Sequence, residues 1–558
     1  MSARLKVGLI VDQEDLSKFD YELVQWASST GAIWVSHLIV QRRSPSPRKR
    51  TLIERILGKA PIKLMRSAVW RALWAIKGCT DIAAVSELPE FRDSIATFPV
   101  GEVVPGRIFV SPQVSRSGFE HRVSAEELRT IQAENFDLLI RCGSGILRGE
   151  ILRSARLGVL SFHHGDNRVN RGGPAGFWEV YHREPMTGFV IQRLTEELDG
   201  GDILVRGFVP TQRSHLLNRV VLISHSYRHL QRLLTRITET GDLPQPEEHV
   251  PYTGRLYRRP RSHQVASYLA KRTGRSLVAR IRDARGIKER WGVSYVRSNW
   301  RNAAFWRGTS IGMRAGHFLA DPFVISRNGR TFVFVEDYLY QTGKAHISVF
   351  ELSEVGAREI GIALEEPYHL SFPFLFEYQG EIFMCPESSQ AREIRIYRCI
   401  EFPLRWTLET VAMRAVVAAD SMIFPYDGRW WLFTNLGESD SHVLSTELHI
   451  FVAPDPLSGQ WLPHRRNPVL MASDCARNGG LLRDGWQAFR VGQVRGFGSY
   501  GTSAKVMRIE KLNEIEYAEG LVCHLTSVFQ SGLRGTHHMH SDGVYSVWDY
   551  KRWEHPYR

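Results

Sequence analysis

A serine, a histidine and an aspartate follow one another closely in a glycine-rich part of the chain. Ser161 and His163 lie in Gly158-Val-Leu-Ser-Phe-His-His-Gly-Asp166, and Asp199 lies in Leu198-Asp-Gly-Gly-Asp-Ile-Leu204. A histidine paired with a carboxylate can move a proton and stabilise an oxyanion, and a serine hydroxyl can donate a second hydrogen bond. Glycines let a ligand approach the backbone. The three residues therefore predict an acyl-transfer site with His163, Asp199 and Ser161 as its catalytic groups.

The segments around these residues predict the sheet that positions them. Apolar runs at Lys6–Val11, Ala32–Val40, Phe136–Arg141 and Gly158–Phe162 are typical of buried parallel strands, and helical patterns separate them. Such alternation predicts a doubly wound α/β sheet, in which ligands bind beyond the carboxyl ends of the strands. His163 stands just past the end of one predicted strand. We expect residues 1–211 to form this α/β domain.

Composition limits the class of protein. The chain has 558 residues, of which 43% are hydrophobic, and this length predicts two or three globular domains. There is no apolar run of about 18 residues, and we expect no transmembrane helix and no signal peptide. The six cysteines form no CxxC pair, which disfavours a zinc site or a disulfide framework. We expect no metal and a cytoplasmic location.

A basic stretch at residues 42–78 stands out from the net charge of +13. Arginines, lysines, leucines and tryptophans alternate there at roughly helical spacing. Such a helix can lie on an anionic membrane surface, or it can pack on its own domain with its basic face in water. We keep both alternatives, the first of which places the protein peripherally at the inner membrane face. No nucleic-acid-binding motif accompanies the charge, so we expect no nucleic-acid partner.

The sequence pattern changes from helical to strand-like after a helical, basic connector predicted at residues 212–299. From residue 300 to 558, a pattern of strand, glycine turn and strand recurs about every 50 to 60 residues, which predicts a five-bladed β-propeller; a β-sandwich is the less regular alternative. The repeats are Asp321–Phe334, Phe372–Met384, Ser421–Phe433, Gly480–Phe489 and Met539–Trp548. The positions we expect at the start of each inner strand are Asp321, Ser371, Asp420, Asn478 and His538.

The motifs of the first half resemble the formyltetrahydrofolate-dependent formyltransferase family. The likeness is carried by Gly158-x-x-Ser-x-His163, Arg171-Gly-Gly-Pro174, Thr187-Gly188 and Asp199-x-Gly201-Asp-Ile-Leu204. It covers about residues 1–210 and implies a Rossmann-like fold with 10-formyltetrahydrofolate as the donor substrate.

The resemblance also implies roles for individual residues. His163 and Asp199 match the family's histidine and aspartate, whereas Ser161 replaces its asparagine, and His164 or Asn167 would have to compensate. The remaining residues implied at the site are Cys142, Gly143, Gly145, Ile146 and Asp199 for the donor, and Arg171, Gly172 and Gly173 for the acceptor.

The second half resembles the propellers of family 43 glycoside hydrolases and the related domain of inositolphosphorylceramide glucosaminyltransferases. Ala320-Asp-Pro-Phe323 and Phe334-Val-Glu-Asp337 carry this likeness. It implies substrate contacts by Asp321, Asp420 and His538 near the propeller axis, with Glu387 as a third inward acid.

These observations together predict formyl transfer to the amine of an amino sugar that is linked to a nucleotide, a lipid or a glycan. The propeller would bind the glycan, in surface polysaccharide or glycolipid biosynthesis. Two alternatives stay open. One is a glycan-binding protein whose formyltransferase domain has lost activity, which Ser161 favours. The other is a propeller glycosidase or glycosyltransferase, which Asp321 and Asp420 favour.

Overall fold

The chain is organised as two compact units, Met1–Thr273 and Gly274–Arg558. The computed structural model describes residues 4–42, 61–86, 88–91, 93–116, 118–197, 200–353, 355–437 and 446–557. The α-helices in these ranges are α1 (Lys18–Thr30), α2 (Pro61–Ser86), α3 (Ala125–Ala133), α4 (Phe177–His182), α5 (His215–Thr240) and α6 (Ser262–Ala284). Residues 212–299, predicted as a connector, are divided between the two units.

The first unit is built on a seven-stranded mixed sheet in the order β13-β12-β10-β8-β1-β3-β5. Its strands are β1 (Leu5–Val11), β3 (Ile33–Gln41), β5 (Gly106–Val110), β8 (Leu138–Arg141), β10 (Val159–His163), β12 (Met186–Arg193) and β13 (Asp202–Pro210). Short strands flank it: β2 (Leu16–Ser17), β4 (Thr97–Phe98), β6 (Gln113–Val114), β7 (Glu120–Arg122), β9 (Ile146–Arg148), β11 (Arg171–Gly172) and β14 (Leu256–Tyr257). Strands β1, β3, β5, β8 and β10 are parallel, and β12 and β13 are antiparallel. The sequence predicted four of the parallel strands and missed β5.

Local sequence explains where the helices beside this sheet begin and end. The Ser17 side chain caps α1 by accepting a hydrogen bond from the Asp20 backbone, and Gly31 ends the helix at φ 68°. Ser124 and Glu127 form a capping box at the start of α3. Helix α5 buries one face against β12 and β13, and so covers one face of the sheet.

The second unit consists of five antiparallel sheets of about four strands each. The strands are β15 (Lys288–Val296), β16 (Thr309–Ser310), β17 (His317–Arg327), β18 (Arg330–Leu339), β19 (Lys344–Ser353), β20 (Gly356–Leu364), β21 (Ser371–Tyr378), β22 (Glu381–Glu387), β23 (Glu393–Glu401), β24 (Arg405–Arg414), β25 (Val417–Tyr426), β26 (Arg429–Gly437), β27 (Glu447–Ala453), β28 (Leu462–Pro463), β29 (Leu470–Met471), β30 (Asn478–Asp484), β31 (Gln487–Gly496), β32 (Ser499–Leu512), β33 (Tyr517–Thr526), β34 (Met539–Ser541) and β35 (Ser546–Glu554).

One edge strand of each sheet contacts the edge strands of two neighbouring sheets, in a closed cycle. Strand β17 contacts β21, β21 contacts β25, β25 contacts β30, β30 contacts β34, and β34 contacts β17 again. We call this arrangement the ring; it agrees with the blades predicted from the repeats. The sheet that closes the ring pairs β15 with β35, from Lys288 opposite Glu554 to Val296 opposite Ser546. Residues 288–296, which the sequence placed in the connector, therefore belong to the ring.

Candidate functional site

Ser161 and His163 both lie on β10, at the carboxyl end of the parallel part of the first sheet. Ser161 is opposite Arg141 of β8 on one side and Gln192 of β12 on the other, and His163 is opposite Val190. Ser161 is 3% exposed, whereas His163 is partly exposed at the end of the strand. The sheet therefore brings the predicted serine and histidine to the edge where ligands bind in folds of this kind.

Arg141 is a residue of this site that sequence reasoning missed. Its Nη1 donates to Ser161 Oγ at 3.4 Å, and its buried Nε donates to no residue that the structure describes. Burial lowers the pKa of the Arg141 guanidinium, and the Asp12 carboxylate opposes the shift. A charged residue at the end of the otherwise apolar run Leu138-Leu-Ile-Arg141 was the available signal, because buried arginines are rare without a partner or a function.

His164 and Asn167, predicted to compensate for the missing asparagine, are occupied elsewhere. His164 Nε2 lies 3.2 Å from Ser226 Oγ, and its ring stacks on Phe162. Burial, with a contribution from His163, lowers the pKa of His164 to about 3, so its imidazole is neutral at pH 7. Asn167 Nδ2 donates to Tyr252 Oη at 2.8 Å. Neither side chain is therefore available to an oxyanion in this arrangement.

The loop after β10 is held by a buried charge network. The Asp166 carboxylate accepts hydrogen bonds from Arg206 Nη1 and from Arg168 Nε, the latter at 3.2 Å. Arg206 Nε also donates to Glu247 Oε2 at 2.9 Å. These hydrogen bonds fix the position of the loop that follows His163.

The loop predicted to bind the donor packs closely on neighbouring side chains. A Cβ on Gly143 would lie 2.8 Å from Asp12 Oδ1, and one on Gly145, where φ is 85°, would overlap His121. The Asp12 carboxylate accepts the Ser144 backbone N–H at 3.0 Å. Packing within the unit thus requires both glycines, and donor binding by Cys142, Gly143, Gly145 and Ile146 stays a prediction.

The residues predicted for the acceptor lie on a short ribbon, where Arg171 and Gly172 of β11 pair with β14. A Cβ on Gly172 would lie 2.0 Å from the carbonyl oxygen of Tyr257, so glycine is needed for this pairing, whereas the space around Gly173 is open. Asp199 lies outside the described residues, and its role stays a prediction.

The ring carries a second site, which one backbone irregularity positions. In four sheets the inner strand has a bulge at the same register, between Ala320 and Phe323, Ser371 and Phe374, Ala419 and Met422, and Asn478 and Leu481. Asp321 and Asp420 follow the first residue of their bulges, both at φ 49°. Bulges re-aim side chains, and these two turn a carboxylate into the ring.

The register corrects two of the equivalences taken from the sequence. The counterparts of Asp321 and Asp420 are Phe372 and Gly479, each one residue beyond the predicted Ser371 and Asn478. The same register places Glu336 and Glu387 at matching positions of the second strands, opposite Ala320 and Ser371. Glu336 follows the start of its repeat at the same sequence spacing at which Glu387 follows the start of its own. This spacing was the signal that could have identified Glu336 from the sequence, and the prediction missed it.

Three buried acids of the ring, Asp321, Asp420 and Glu336, have raised pKa values. Burial raises the pKa of Asp321 to about 7, and the Asp420 carboxylate adds to the shift. Burial also raises the pKa of Asp420 to about 7, although Arg477 opposes the change. The pKa of Glu336 is raised well above its usual range by burial and by the charges of Asp321 and Glu387. Such a group can both accept and donate protons near neutral pH.

Two cationic side chains are paired with these acids. Arg477 Nε donates to Asp420 Oδ2 at 2.5 Å, and its Nη2 lies 3.4 Å from Glu387 Oε2. His537 Nδ1 lies 2.5 Å from Asp549 Oδ2, and its Nε2 lies 3.5 Å from Asp321 Oδ1. Burial disfavours the imidazolium, but these two carboxylates outweigh it and raise the pKa of His537.

His538, predicted to contact the substrate, is buried in the core of the ring. It is 0% exposed and lies between the rings of Phe323 and Phe372, at centroid distances of 4.6 and 5.4 Å. Successive residues of an extended chain point to opposite sides, so His537 faces the acids whereas His538 faces the aromatic core. A substrate contact by His538 would need this core to open.

The inner face of the basic helix α2 packs on the first unit. Trp70 Nε1 donates to the Pro260 carbonyl at 2.8 Å, and Trp74 packs against Phe177 at 6.1 Å. Lys77 Nζ lies 2.6 Å from Asp81 Oδ2 in a buried ion pair. Residues 43–60 of the predicted insertion lie outside the described residues, and the membrane contact stays a prediction. None of the described helices is long and apolar enough to span a membrane.

Residues 308–540 match the family described as "Glucosamine inositolphosphorylceramide transferase 1, N-terminal". The rice protein of that name (Oryza sativa subsp. japonica) is 39% identical over 209 residues, which are 36% of this chain and 28% of the rice protein. The Arabidopsis thaliana protein is 38% identical over 209 residues, 36% of this chain and 27% of its own length. The chain thus spans little more than a quarter of these relatives.

A second similarity is to methionyl-tRNA formyltransferase of Bacillus cereus (strain B4264), which is 25% identical over 253 residues, 43% of this chain and 77% of that enzyme. Among solved structures, glycinamide ribonucleotide transformylase 1 from Symbiobacterium toebii aligns at TM-score 0.28 and 16% identity, over 43% of this chain and 90% of that one. A thermostable family-43 glycoside hydrolase aligns at TM-score 0.33 and 14% identity, over 44% and 90% of the two chains. Structural scores this low carry no argument about function.

Proposed function

We propose that this protein is a transferase that moves the formyl group of 10-formyltetrahydrofolate to the amine of an amino sugar. The observation that carries the proposal is the position of His163, at the carboxyl end of β10 and two residues beyond Ser161 and its partner Arg141. Sequence similarity to methionyl-tRNA formyltransferase supports the reaction class. Similarity of residues 308–540 to a family named for glucosamine transfer supports an amino sugar as the acceptor, held by the ring, which we take to be a five-bladed propeller.

The reaction assigns a role to each described group. The sugar amine attacks the formyl carbon, and the carbonyl oxygen becomes an oxyanion. Arg141 stabilises this charge, and the Ser161 hydroxyl adds a second donor when it turns from the Phe162 carbonyl, which it faces at 3.4 Å. His163 takes the proton that the attacking nitrogen loses and passes it to N10 of the leaving tetrahydrofolate. The formyl C–N10 bond breaks as the new amide bond forms. Asp199, if it meets His163 as the resemblance implies, would orient that imidazole.

A tetrahydrofolate-release assay tests this proposal. Full-length protein is mixed with 10-formyltetrahydrofolate and a panel of nucleotide-linked and lipid-linked amino sugars, beside the variant His163→Ala. The matched control is His263→Ala, which alters an exposed histidine of the same unit. Release that needs an amino sugar and is lost only in His163→Ala supports the proposal. Calorimetry that detects no folate binding at all contradicts it, and binding without release across the panel favours the alternative of a domain that has lost activity.

The buried carboxyls of the ring favour a second candidate function, cleavage or transfer at a glycosidic bond. Such reactions use one carboxylic acid that protonates the leaving oxygen and one carboxylate that acts as base or nucleophile. Asp321 and Asp420, with pKa values near 7, can divide these roles. If Asp321→Asn and Asp420→Asn abolish glycoside turnover while His163→Ala leaves it intact, this candidate is the activity of the ring.

A further inference from the structure

We propose that the carboxyl groups at the centre of the ring bind the ammonium group of an unmodified amino sugar and reject the neutral N-formyl product. This inference rests on the proposed function, because it identifies the charge state of the acceptor. It goes beyond that function by assigning to the ring a preference for substrate over product. Formylation removes the positive charge of the amine, so the reaction itself would weaken the hold of the ring on the sugar.

The first support is an imbalance of charge among the described groups of the site. The carboxyls are Asp321, Glu336, Glu387, Asp420 and Asp549. The cations facing them are Arg477, Arg495 and His537. Five carboxyls therefore share three cations, and Arg477 and His537 each face two of them. Lys551, which also lies near Asp549, is paired with Glu289 at 3.2 Å. Uncompensated buried carboxylates attract a cation or take up protons.

The second support is an oxygen that lacks a hydrogen bond. Asp321 is 4% exposed, and within the described residues its Oδ1 accepts no hydrogen bond. Its nearest cationic nitrogen is His537 Nε2, at 3.5 Å. A buried carboxylate oxygen left in this state is costly, and an ammonium group supplies three donors that can satisfy it. Glu336 offers a further acceptor, and His369 Nε2 lies 3.4 Å from its carboxylate.

Aromatic rings beside these acids suit the sugar that carries the amine. His369, which faces Glu336, lies 6.1 Å from the ring of Tyr338, and Tyr338 stacks on Phe318 at 4.5 Å. Both Phe318 and Tyr338 are partly exposed. Amphipathic rings of this kind pack against the apolar face of a sugar while polar groups bind its substituents. A sugar ammonium therefore fits the site better than a free inorganic cation does.

A divalent metal is the competing occupant. Asp321, His537 and Asp549 each offer a ligand atom, and these atoms lie within 4.8 Å of one another. His537 Nδ1 lies beside Asp549 and its Nε2 beside Asp321, but neither side-chain contact is a hydrogen bond among the described residues. Dependence of sugar binding on calcium distinguishes this occupant from a sugar ammonium.

The test compares binding of charged and neutral sugars to the full-length protein by calorimetry, without folate. The probes are the methyl glycosides of glucosamine, N-formylglucosamine, N-acetylglucosamine and glucose. We expect glucosamine to bind at least roughly tenfold more tightly than the three neutral sugars, because hydrogen bonds between charged groups exceed neutral ones. Asp321→Asn should remove the preference. The isosteric control Glu401→Gln, which alters an exposed pair with Arg405 on an outer strand, should retain it.

Two further measurements, proton release on binding and the effect of calcium or a chelator, test the same inference. Because the pKa values of Asp321 and Asp420 are raised to about 7, these carboxyls are partly protonated at pH 7. Binding of an ammonium group should therefore release protons, and the measured heat of binding should change with the ionisation heat of the buffer. Equal binding of charged and neutral sugars, or no binding of any, overturns the inference. Binding that needs calcium or is lost with a chelator assigns the site to a metal and overturns it as well. Formyl transfer is measured separately, so loss of that activity alone would refute the proposed function and not the charge preference.

Discussion

Arg141 Nη1 lies 3.4 Å from Ser161 Oγ, so a partly buried guanidinium stands beside the serine found where the formyltransferase resemblance leads one to expect an asparagine. A neutral amide donor in the family's pattern is thus replaced by a hydroxyl backed by a positive charge. This relationship gives the proposed site a group that can hold an oxyanion, which neither His164 nor Asn167 supplies.

Replacement of Arg141 should slow the chemical step. We expect Arg141→Met to lower kcat for formyl transfer by about 10²–10³, the usual cost of removing one oxyanion donor. Folate binding, measured by calorimetry, should persist. Arg153→Met, which alters an arginine with a 71% exposed side chain in the same unit, serves as the control. A kcat for Arg141→Met within twofold of the wild-type value would remove Arg141 from the site.

The buried pair between Lys77 and Asp81 should be essential for the stability of the first unit. Asp81 also accepts hydrogen bonds from Tyr268 Oη at 2.7 Å and Ser214 Oγ at 3.2 Å. Loss of one partner leaves a buried charge uncompensated, so we expect Asp81→Asn to lower the free energy of unfolding by about 3 kcal/mol. Scanning calorimetry of the first-unit transition measures this. Glu150→Gln, in an exposed pair, should cost less than about 1 kcal/mol, and similar losses for both variants would contradict the assignment.

His538 should make the ring sensitive to acid. Burial lowers the pKa of its imidazole well below 6.5, and neither ring nitrogen has a hydrogen-bond partner among the described residues. The unfolded chain therefore binds a proton below pH 6.5 that the folded ring does not, and stability falls as the pH falls. For this one group the loss by pH 5 is at most about 2 kcal/mol.

The variant His538→Leu isolates this contribution. It removes a buried polar group without a partner, so at pH 7 we expect it to be neutral or stabilising. Its advantage over wild type in the second-unit transition should grow between pH 7 and pH 5. A constant difference across this range would show that the imidazole does not resist protonation in the folded state.

The membrane proposal now has a sharper test than removal of residues 42–78, which would delete Trp70, Trp74 and the buried Lys77. Deletion of residues 43–60 alone spares these contacts while it removes much of the basic charge. We expect the wild-type protein to sediment with anionic vesicles at low salt, and the deletion or about 0.5 M salt to prevent it, because surface attraction is screened within a few ångströms. Equal sedimentation of both proteins would exclude this segment as the contact.

The sequence predicted most of the architecture because the patterns responsible are local. Apolar runs identified the parallel strands around Ser161 and His163, and the glycine turns identified the repeats of the ring. It also singled out Asp321 and Asp420. Registers were less predictable, because only the pairing of the strands shows that the counterpart of Asp321 is Phe372 and not the predicted Ser371.

Contacts between side chains on neighbouring strands could not be predicted from local sequence patterns. Arg141 and Ser161 are twenty positions apart and meet only because β8 and β10 are neighbours. Likewise, His537 and His538 are adjacent in the sequence, yet the chain turns His537 toward the acids and His538 into the core. Which side of a strand faces the ring depends on pairing with distant segments, and no local periodicity encodes it.

The pairing of β15 with β35 has a consequence for synthesis on the ribosome. Residues of the first unit are all available once Thr273 has emerged, so that unit can fold while translation continues. The ring differs, because Lys288 must wait for Glu554, its partner at the far end of the unit. Until then β15 exposes a strand edge that can pair with other nascent chains. Production of this protein should therefore depend on chaperones that shield the half-made ring, and truncations that remove β35 should aggregate even though the first unit is intact.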